Sequence, residues 1–162
     1  MIRVSCLIFL VALVSCSTPR PEGKTKAEVL YKEAKSYMDD GLYDLARQRL
    51  NKLRSKYPYS YYATHAELLQ ADILFKQAKY AEAAAAYEVF RDFHPQHKRI
   101  HYVLYKLAES YYKQLPSTYD RDLTPAREAI KYYQELISNY SESEHADEAR
   151  KKIAECQEML RK

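Results

Sequence analysis

Glycine is almost absent from this chain: Gly23 and Gly41 are the only two among its 162 residues. Loops that cradle phosphate through backbone N–H groups need glycine at several close positions, so that chemistry is excluded and helix is expected nearly throughout. Tryptophan is missing, whereas tyrosine reaches 17 against 4 phenylalanines. Helix seams filled by tyrosine carry hydroxyls that must reach water or a polar partner. Charge of neither sign dominates. The 26 Lys and Arg against 22 Asp and Glu leave a formal +4, interspersed along the chain, with no basic stripe of the kind nucleic acid requires. The apolar run from Val4 to Val14 is too short to span a bilayer. A nucleophile elbow, paired catalytic carboxylates and a Cys–His arrangement are all missing, so the chain reads as a non-enzyme with no cofactor.

What the chain has in quantity is repetition. The segment from Gly41 to Pro58, GLYDLARQRLNKLRSKYP, returns as AKYAEAAAAYEVFRDFHP from Ala78 to Pro95, and more loosely as TPAREAIKYYQELISNYS from Thr124 to Ser141. Ala46 and Ala83 are 37 residues apart and Ala83 and Ala129 are 46 apart, so nine extra residues fall in the third unit. Upstream, Ala34, Ala71, Ala108 and Ala154 occupy one recurring step of a helical pattern, which makes each unit a pair of helices, A then B. Fixed spacing at this scale means stacked repeats.

The pattern matches the tetratricopeptide kind, in which a small residue lets helix A approach helix B. Here the small contacts are Ala34 with Ala46, Ala71 with Ala83, and Ala108 with Ala129. Tyr43, Leu50 and Leu53 of unit one answer to Tyr80, Tyr87 and Phe90 of unit two. Pro58 and Pro95 end the B helices, because proline lacks the N–H that would continue them. The expected fold is all-α: a right-handed α-solenoid of three tetratricopeptide-like helix pairs over residues 25–162, closed by a polar C-terminal capping helix. Thr25 with Glu28 forms a capping box for the first helix, and Ser60 caps the third. Thr124, followed by Pro125, is expected to cap the helix after the long connection from Leu115 to Leu123. The last helix is expected from Glu142 to Arg161, capped by Ser143.

Residues 1–15 hold one cation, Arg3, ahead of the apolar run, and read as a secretory signal peptide. The run ends in Leu13-Val14-Ser15-Cys16, which resembles a bacterial lipobox, so Cys16 is expected to carry a diacylglyceryl anchor. Ordinary secretion, with Cys16 as an idle thiol, is the other reading. Residues 16–24, with two prolines and a glycine, form a tether. Ser17 after the cysteine, by resemblance to Gram-negative lipoproteins, implies sorting to the outer membrane. Cys6 leaves with the signal and Cys16 is acylated, so Cys156 remains alone and no internal disulfide is possible.

With these features in place, the chain resembles the BamD (ComL-like) outer-membrane assembly lipoproteins. The resemblance rests on the lipobox at Cys16, the Tyr57-Pro58 junction with Tyr62 after it, and the segment Ile100-His101-Tyr102-Val103-Leu104-Tyr105. Asp120-Arg121-Asp122 running into Ala126-Arg127 and Ala129 adds to them, in the unit where that family also has a long loop. The resemblance implies a lipid-anchored protein on the periplasmic face of the outer membrane. Its implied partners are the barrel-insertion subunit of the outer-membrane assembly machine and unfolded outer-membrane proteins. In that family the N-terminal repeats are thought to meet the substrate's C-terminal strand, and the C-terminal repeats to dock the barrel subunit. Family members typically carry five repeats, and this chain reaches its fourth. A general periplasmic tetratricopeptide adaptor or secretin pilot lipoprotein is the alternative.

In stacked helix pairs the A helices line the concave face. By register that face receives Tyr31, Lys35 and Met38; Leu68, Asp72, Phe75 and Lys76; and Tyr102, Tyr105, Glu109, Tyr112 and Lys113. The expected partner-binding residues are Tyr31, Lys35, Leu68, Phe75, Lys76, Tyr102, Tyr105, Tyr112 and Lys113, where rings and ammonium groups would take an extended segment ending in an aromatic and a carboxylate. The competing reading is that these rings pack between units and the lysines are merely solvated. His94, His97 and His101 are the only histidine cluster, but nothing supplies a carboxylate at ligand spacing, so no metal is expected.

Overall fold

The computed structural model describes residues 23–118 and 122–162. The expected signal peptide, Cys16, most of the expected tether, and Asp120 and Arg121 of the charged loop lie outside the described residues. Within them the chain forms seven helices: α1 (Lys26–Asp39), α2 (Tyr43–Lys56), α3 (Tyr61–Lys76), α4 (Tyr80–Phe93), α5 (Ile100–Tyr112), α6 (Thr124–Asn139) and α7 (Ala146–Arg161). This is an all-helical, tetratricopeptide-like arrangement. Each helix packs on the next in sequence, and α1 also meets α3, as α5 meets α7.

The turns repeat as closely as the helices do. Between α1 and α2, Leu42 N–H donates to the Tyr37 carbonyl at 2.7 Å and Gly41 N–H to Met38 at 3.1 Å. Between α3 and α4, Lys79 N–H donates to Leu74 and Ala78 N–H to Phe75, both at 3.0 Å. Both turns are Schellman motifs, which close the orphan carbonyls of a helix end through one left-handed residue. That residue is Gly41 at φ 75° in the first turn and Ala78 at φ 58° in the second. Between units, Ser60, His97 and Ser143 donate their N–H groups back to Tyr57, His94 and Tyr140 at 2.9 to 3.0 Å, and Ala63, Ile100 and Ala146 donate to Ser60, His97 and Ser143 in turn at 2.8 to 2.9 Å.

Three helix starts are sharpened by this geometry. Thr25 accepts from Glu28 N–H at 3.1 Å as the capping box requires, while the Glu28 carboxylate returns to Lys24 N–H at 2.9 Å, one residue earlier than the box places it. Thr124 is the first helical residue of α6 and not its cap, since its N–H donates to the Asp122 carboxylate at 2.9 Å. An ionised carboxylate two residues upstream is a stronger acceptor than a hydroxyl. Helix α7 begins at Ala146 and not at Glu142, because the stretch from Ser141 repeats the inter-unit turn; Ser143 accepts from His145 N–H at 3.3 Å inside that turn.

Burial follows the small-residue register. Ala34, Ala46, Ala71, Ala83, Ala108 and Ala129 are fully buried, and Leu50, Leu53, Tyr87 and Phe90 fill the seams beside them. Ala154, at the same step in α7, is exposed because no helix within the described chain covers that face. The core falls into two clusters that share α3. Ala66, Leu69 and Ile73 of α3 join Leu30, Leu50 and Leu53 on one side. Leu68 and Ala71 join Tyr87, Leu104 and Tyr133 on the other.

The two left-handed turn residues provide an internal comparison. A left-handed conformation costs an L-residue roughly 1–2 kcal/mol, and glycine avoids that penalty at the expense of a freer unfolded chain. Ala78→Gly should therefore raise stability by about 0.5–1 kcal/mol, and Gly41→Ala should lower it by about 1 kcal/mol, as read from urea denaturation midpoints. A loss of stability in Ala78→Gly would show that the turn is not strained.

Candidate functional site

The A helices α1, α3, α5 and α7 meet side by side through named side chains. The rings of Tyr31 and Tyr62 lie 5.6 Å apart, joining α1 to α3. Tyr102 of α5 donates to Asp72 of α3 at 2.8 Å, Tyr105 of α5 donates to Glu148 of α7 at 2.8 Å, and Tyr112 of α5 donates to Glu155 of α7. This row of rings, lysines and carboxylates is the candidate site.

Two buried carboxylates organise it. Asp72, 9% exposed, accepts from Tyr87 of its own unit at 2.6 Å and from Tyr102 of the next. Glu109, 6% exposed and 37 residues on, accepts from Tyr133 of its own unit and from Lys152 of α7 at 2.5 Å. Burial, then the neighbouring carboxylate, pushes the phenols of Tyr87 and Tyr133 far up, so both stay protonated donors. Asp72 and Glu109 were expected on the concave face; each is instead consumed by two donors inside the fold. At the same register unit one carries Lys35, which is exposed, and Leu50 stands where the other units have Tyr87 and Tyr133. The carboxylate and its tyrosine are thus gained or lost together.

The expected partner-binding residues divide into three groups. Lys35, Lys76 and Lys113 are exposed, and Tyr31, Phe75 and Tyr102 keep part of their surface. Tyr105 and Tyr112 are occupied by α7: the Tyr105 ring stacks on His145 at 3.9 Å and 9°, and Lys152 sits 4.3 Å from the Tyr112 centroid. The Tyr112 phenol is pushed up to about 12 by its bond to Glu155 and then by burial. Leu68 is 1% exposed and lies in the core because α3 is sandwiched between two apolar clusters; Met38 of α1 is buried in the cluster with Leu30, Leu50 and Leu53.

Lys106 was missed. Its Nζ lies 3.1 Å from the centroid of Phe75, and burial pushes its ammonium down to about 8, with Lys76 and Lys113 acting in the same direction and Asp72 and Glu109 against it. The signal was present in the repeat, since Lys106 stands where unit two has the buried Leu69. Phe75, Lys76, Lys106 and Lys113 thus form a ring-and-ammonium cluster suited to an anionic group attached to an apolar one. Arg99, 4.2 Å over Tyr102, extends it.

Of the three histidines, His94 and His97 share the Phe90 ring, and His101 lies apart from them. His94 meets Glu67 at 2.9 Å, His97 packs edge-on to Phe90, and His101 faces Tyr140. Among the described residues no group of three or more His, Cys, Asp or Glu could hold a metal ion. A second surface, which the sequence reading did not single out, lies on α4. There Ala81, Ala85, Val89 and Phe93 are exposed in one i, i+4 row, with Val89 at 56% and Phe93 at 77%. The same row reads Asp44, Gln48, Lys52, Lys56 on α2 and Arg127, Lys131, Glu135, Asn139 on α6.

A sequence model of the YfiO family, described as outer membrane lipoprotein, matches residues 23–162. The chain belongs to the YfiO family. Among its relatives is the outer membrane protein assembly factor BamD of Neisseria gonorrhoeae, 29% identical over 166 residues, which cover 93% of this chain and 62% of that protein. BamD of Vibrio cholerae is 26% identical over 160 residues, covering 93% of this chain and 66% of its own length. BamD of Rickettsia prowazekii is 27% identical over 149 residues, covering 91% and 59%. The chain therefore spans about three-fifths of the length of the curated relatives it matches. No helix among its described residues is long and apolar enough to cross a membrane.

The Lys106 environment has a measurable consequence. Its ammonium should lose its proton near pH 8 in the folded protein, against an ordinary value of 10.5. Between those values the unfolded chain binds more protons, so stability should rise with pH across that window, and Lys106→Met should flatten the rise. Side-chain NMR titration of Lys106 checks this; a midpoint at the ordinary lysine value would refute it.

Proposed function

We propose that this chain is the helical, periplasmic portion of an outer-membrane-anchored lipoprotein that acts in the assembly and insertion of β-barrel outer-membrane proteins. The observation that carries this reading is the YfiO-family match over residues 23–162, with relatives named as outer membrane protein assembly factors. Anchoring would come from a lipid on Cys16 after removal of residues 1–15, and residues 16–24 would act as the tether. The repeated turns, together with the α1–α3 and α5–α7 contacts, support a right-handed solenoid whose A helices share one face.

On that face the surface left open by the fold is Tyr31, Lys35, Phe75, Lys76, Tyr102 and Lys113, with Lys106 added. An unfolded outer-membrane protein would place an aromatic against Phe75 and a carboxylate on the surrounding ammonium groups. The barrel-insertion subunit is the second proposed partner. Tyr105 and Tyr112 serve mainly to hold α7, and Leu68 serves the core. The chain acts by binding and not by catalysis.

A photoreactive residue at Lys76, in the lipidated protein within its native envelope, tests the reading. Trapping of unfolded outer-membrane proteins or of the barrel-insertion subunit is expected, and Phe75→Ala should reduce capture several-fold. Capture of a secretin or a cell-wall enzyme instead would favour the general adaptor reading. Normal levels of outer-membrane proteins after depletion of the chain would count against the assembly role.

A further inference from the structure

A cleft of about 480 Å³ opens between the start of α1 and the second half of α2, away from the A-helix face. Its rim carries Lys24, Lys26, Arg49, Lys52 and Lys56 against a single carboxylate, Glu33. Val29, Leu30 and Tyr57 supply an apolar floor. The chain as a whole has a formal charge of only +4, so this one cleft concentrates as much positive charge as the entire molecule carries in excess.

Two explanations internal to the fold do not account for it. Lysines at a helix C-terminus complement the macrodipole. Yet α4 keeps only Arg91 in its last turn and α6 has no cation there, and neither repeats the cations of the cleft: the counterparts of Arg49, Lys52 and Lys56 are Ala86, Val89 and Phe93 in α4 and Tyr132, Glu135 and Asn139 in α6. Ion pairing does not explain it either, because the pairs formed at this end involve Lys32 with Glu28 and Arg49 with Glu33, and leave Lys24, Lys26, Lys52 and Lys56 to solvent. The Arg49 Nε lies 3.0 Å from Glu33 but makes no aligned hydrogen bond, although it is buried. The guanidinium is held by that charge contact and by the Tyr37 ring, 5.8 Å from its central carbon, and part of the side chain stays exposed to an oxyanion.

We propose that this cleft binds the phosphodiester headgroup of an anionic membrane lipid, with the phosphate on the cationic rim and the adjoining glycerol and first acyl carbons on Val29, Leu30 and Tyr57. Charge complementarity supplies the attraction. Proximity supplies the choice of occupant over a soluble phosphate. Cys16 precedes Lys24 by eight residues, and eight residues reach at most about 29 Å even when fully extended. An acylated Cys16 therefore keeps this end of the molecule at the bilayer surface; that step rests on the lipoprotein reading above. The contact would orient the repeats relative to the membrane, which a tether by itself does not do.

The test uses the full chain carrying Cys16→Ser, so that no acyl chain contributes, sedimented with vesicles of phosphatidylcholine alone or of phosphatidylcholine with phosphatidylglycerol. Retention on the anionic vesicles is expected, weakening as salt is raised. The double variant Lys52→Glu, Lys56→Glu should lose roughly tenfold or more of that binding, whereas Lys79→Glu with Lys151→Glu, the same change of charge elsewhere, should not. The leader is identical in all of these, so its own affinity cancels, and circular dichroism melts verify that each variant folds. Equal binding to neutral and anionic vesicles, or full binding by the Lys52 and Lys56 variant, overturns the proposal. So does a shift of the Val29 and Tyr57 amides by glycerol phosphate or an acidic peptide without any preference for anionic vesicles, which would assign the cleft to a soluble ligand. Mass spectrometry of the envelope-extracted chain reads the acyl group on Cys16 separately, so failure of the lipoprotein reading and failure of the cleft are told apart.

Discussion

A tyrosine hydroxyl taken out of water must find an acceptor, and in this chain carboxylates supply it. Asp72 and Glu109 lie buried on successive A helices, and each takes one tyrosine from its own B helix and a second donor from the next unit. Hydrogen bonds to an ionised partner contribute about 1.5–3 kcal/mol, and a buried charge stripped of its partners costs several. The carboxylate therefore cannot be kept without its tyrosine. Unit one, with Lys35 and Leu50 at these positions, avoids the problem by placing the charge in solvent and an aliphatic side chain in the core.

These bonds also decide which surfaces remain available. Unit three sends Tyr102 back to α3, Tyr105 and Tyr112 forward to α7, and Tyr132 from α6 to Glu88 of α4. Its rings are largely spent on joining neighbours. The open chemistry moves toward the N-terminal units, to Phe75 with its lysines on the A-helix side and to the cationic cleft beside α1. On the proposed role in outer-membrane protein assembly, these are the surfaces a partner would meet.

Because the backbone turns are copied almost bond for bond, the units differ mainly in what they display. One outward row of the B helices is charged on α2 and α6 but apolar on α4. A repeat scaffold separates the two tasks in this way: small residues at fixed steps hold the helices together, and the outward steps are left to vary.

Much of the fold was legible in the chain itself. Spacings of 37 and 46 residues, alanines at one step, and Pro58 and Pro95 after the B helices define paired helices, because backbone hydrogen bonding and close approach leave few alternatives at those positions. The family resemblance was legible for the same reason. What periodicity could not tell was which of two polar or aromatic residues on one helix face meets another helix and which meets water. Leu68 was placed on the surface because helical spacing has no knowledge of a second core cluster behind α3. Asp72, Glu109, Tyr105 and Tyr112 were read as pointing into the open groove because their partners stand 15 to 43 residues away. The sequence by itself determined the helices and their pairing, through local and repeated patterns; only the tertiary structure decided which charges and rings are satisfied within the fold and which are left for a partner, since that depends on contacts between units.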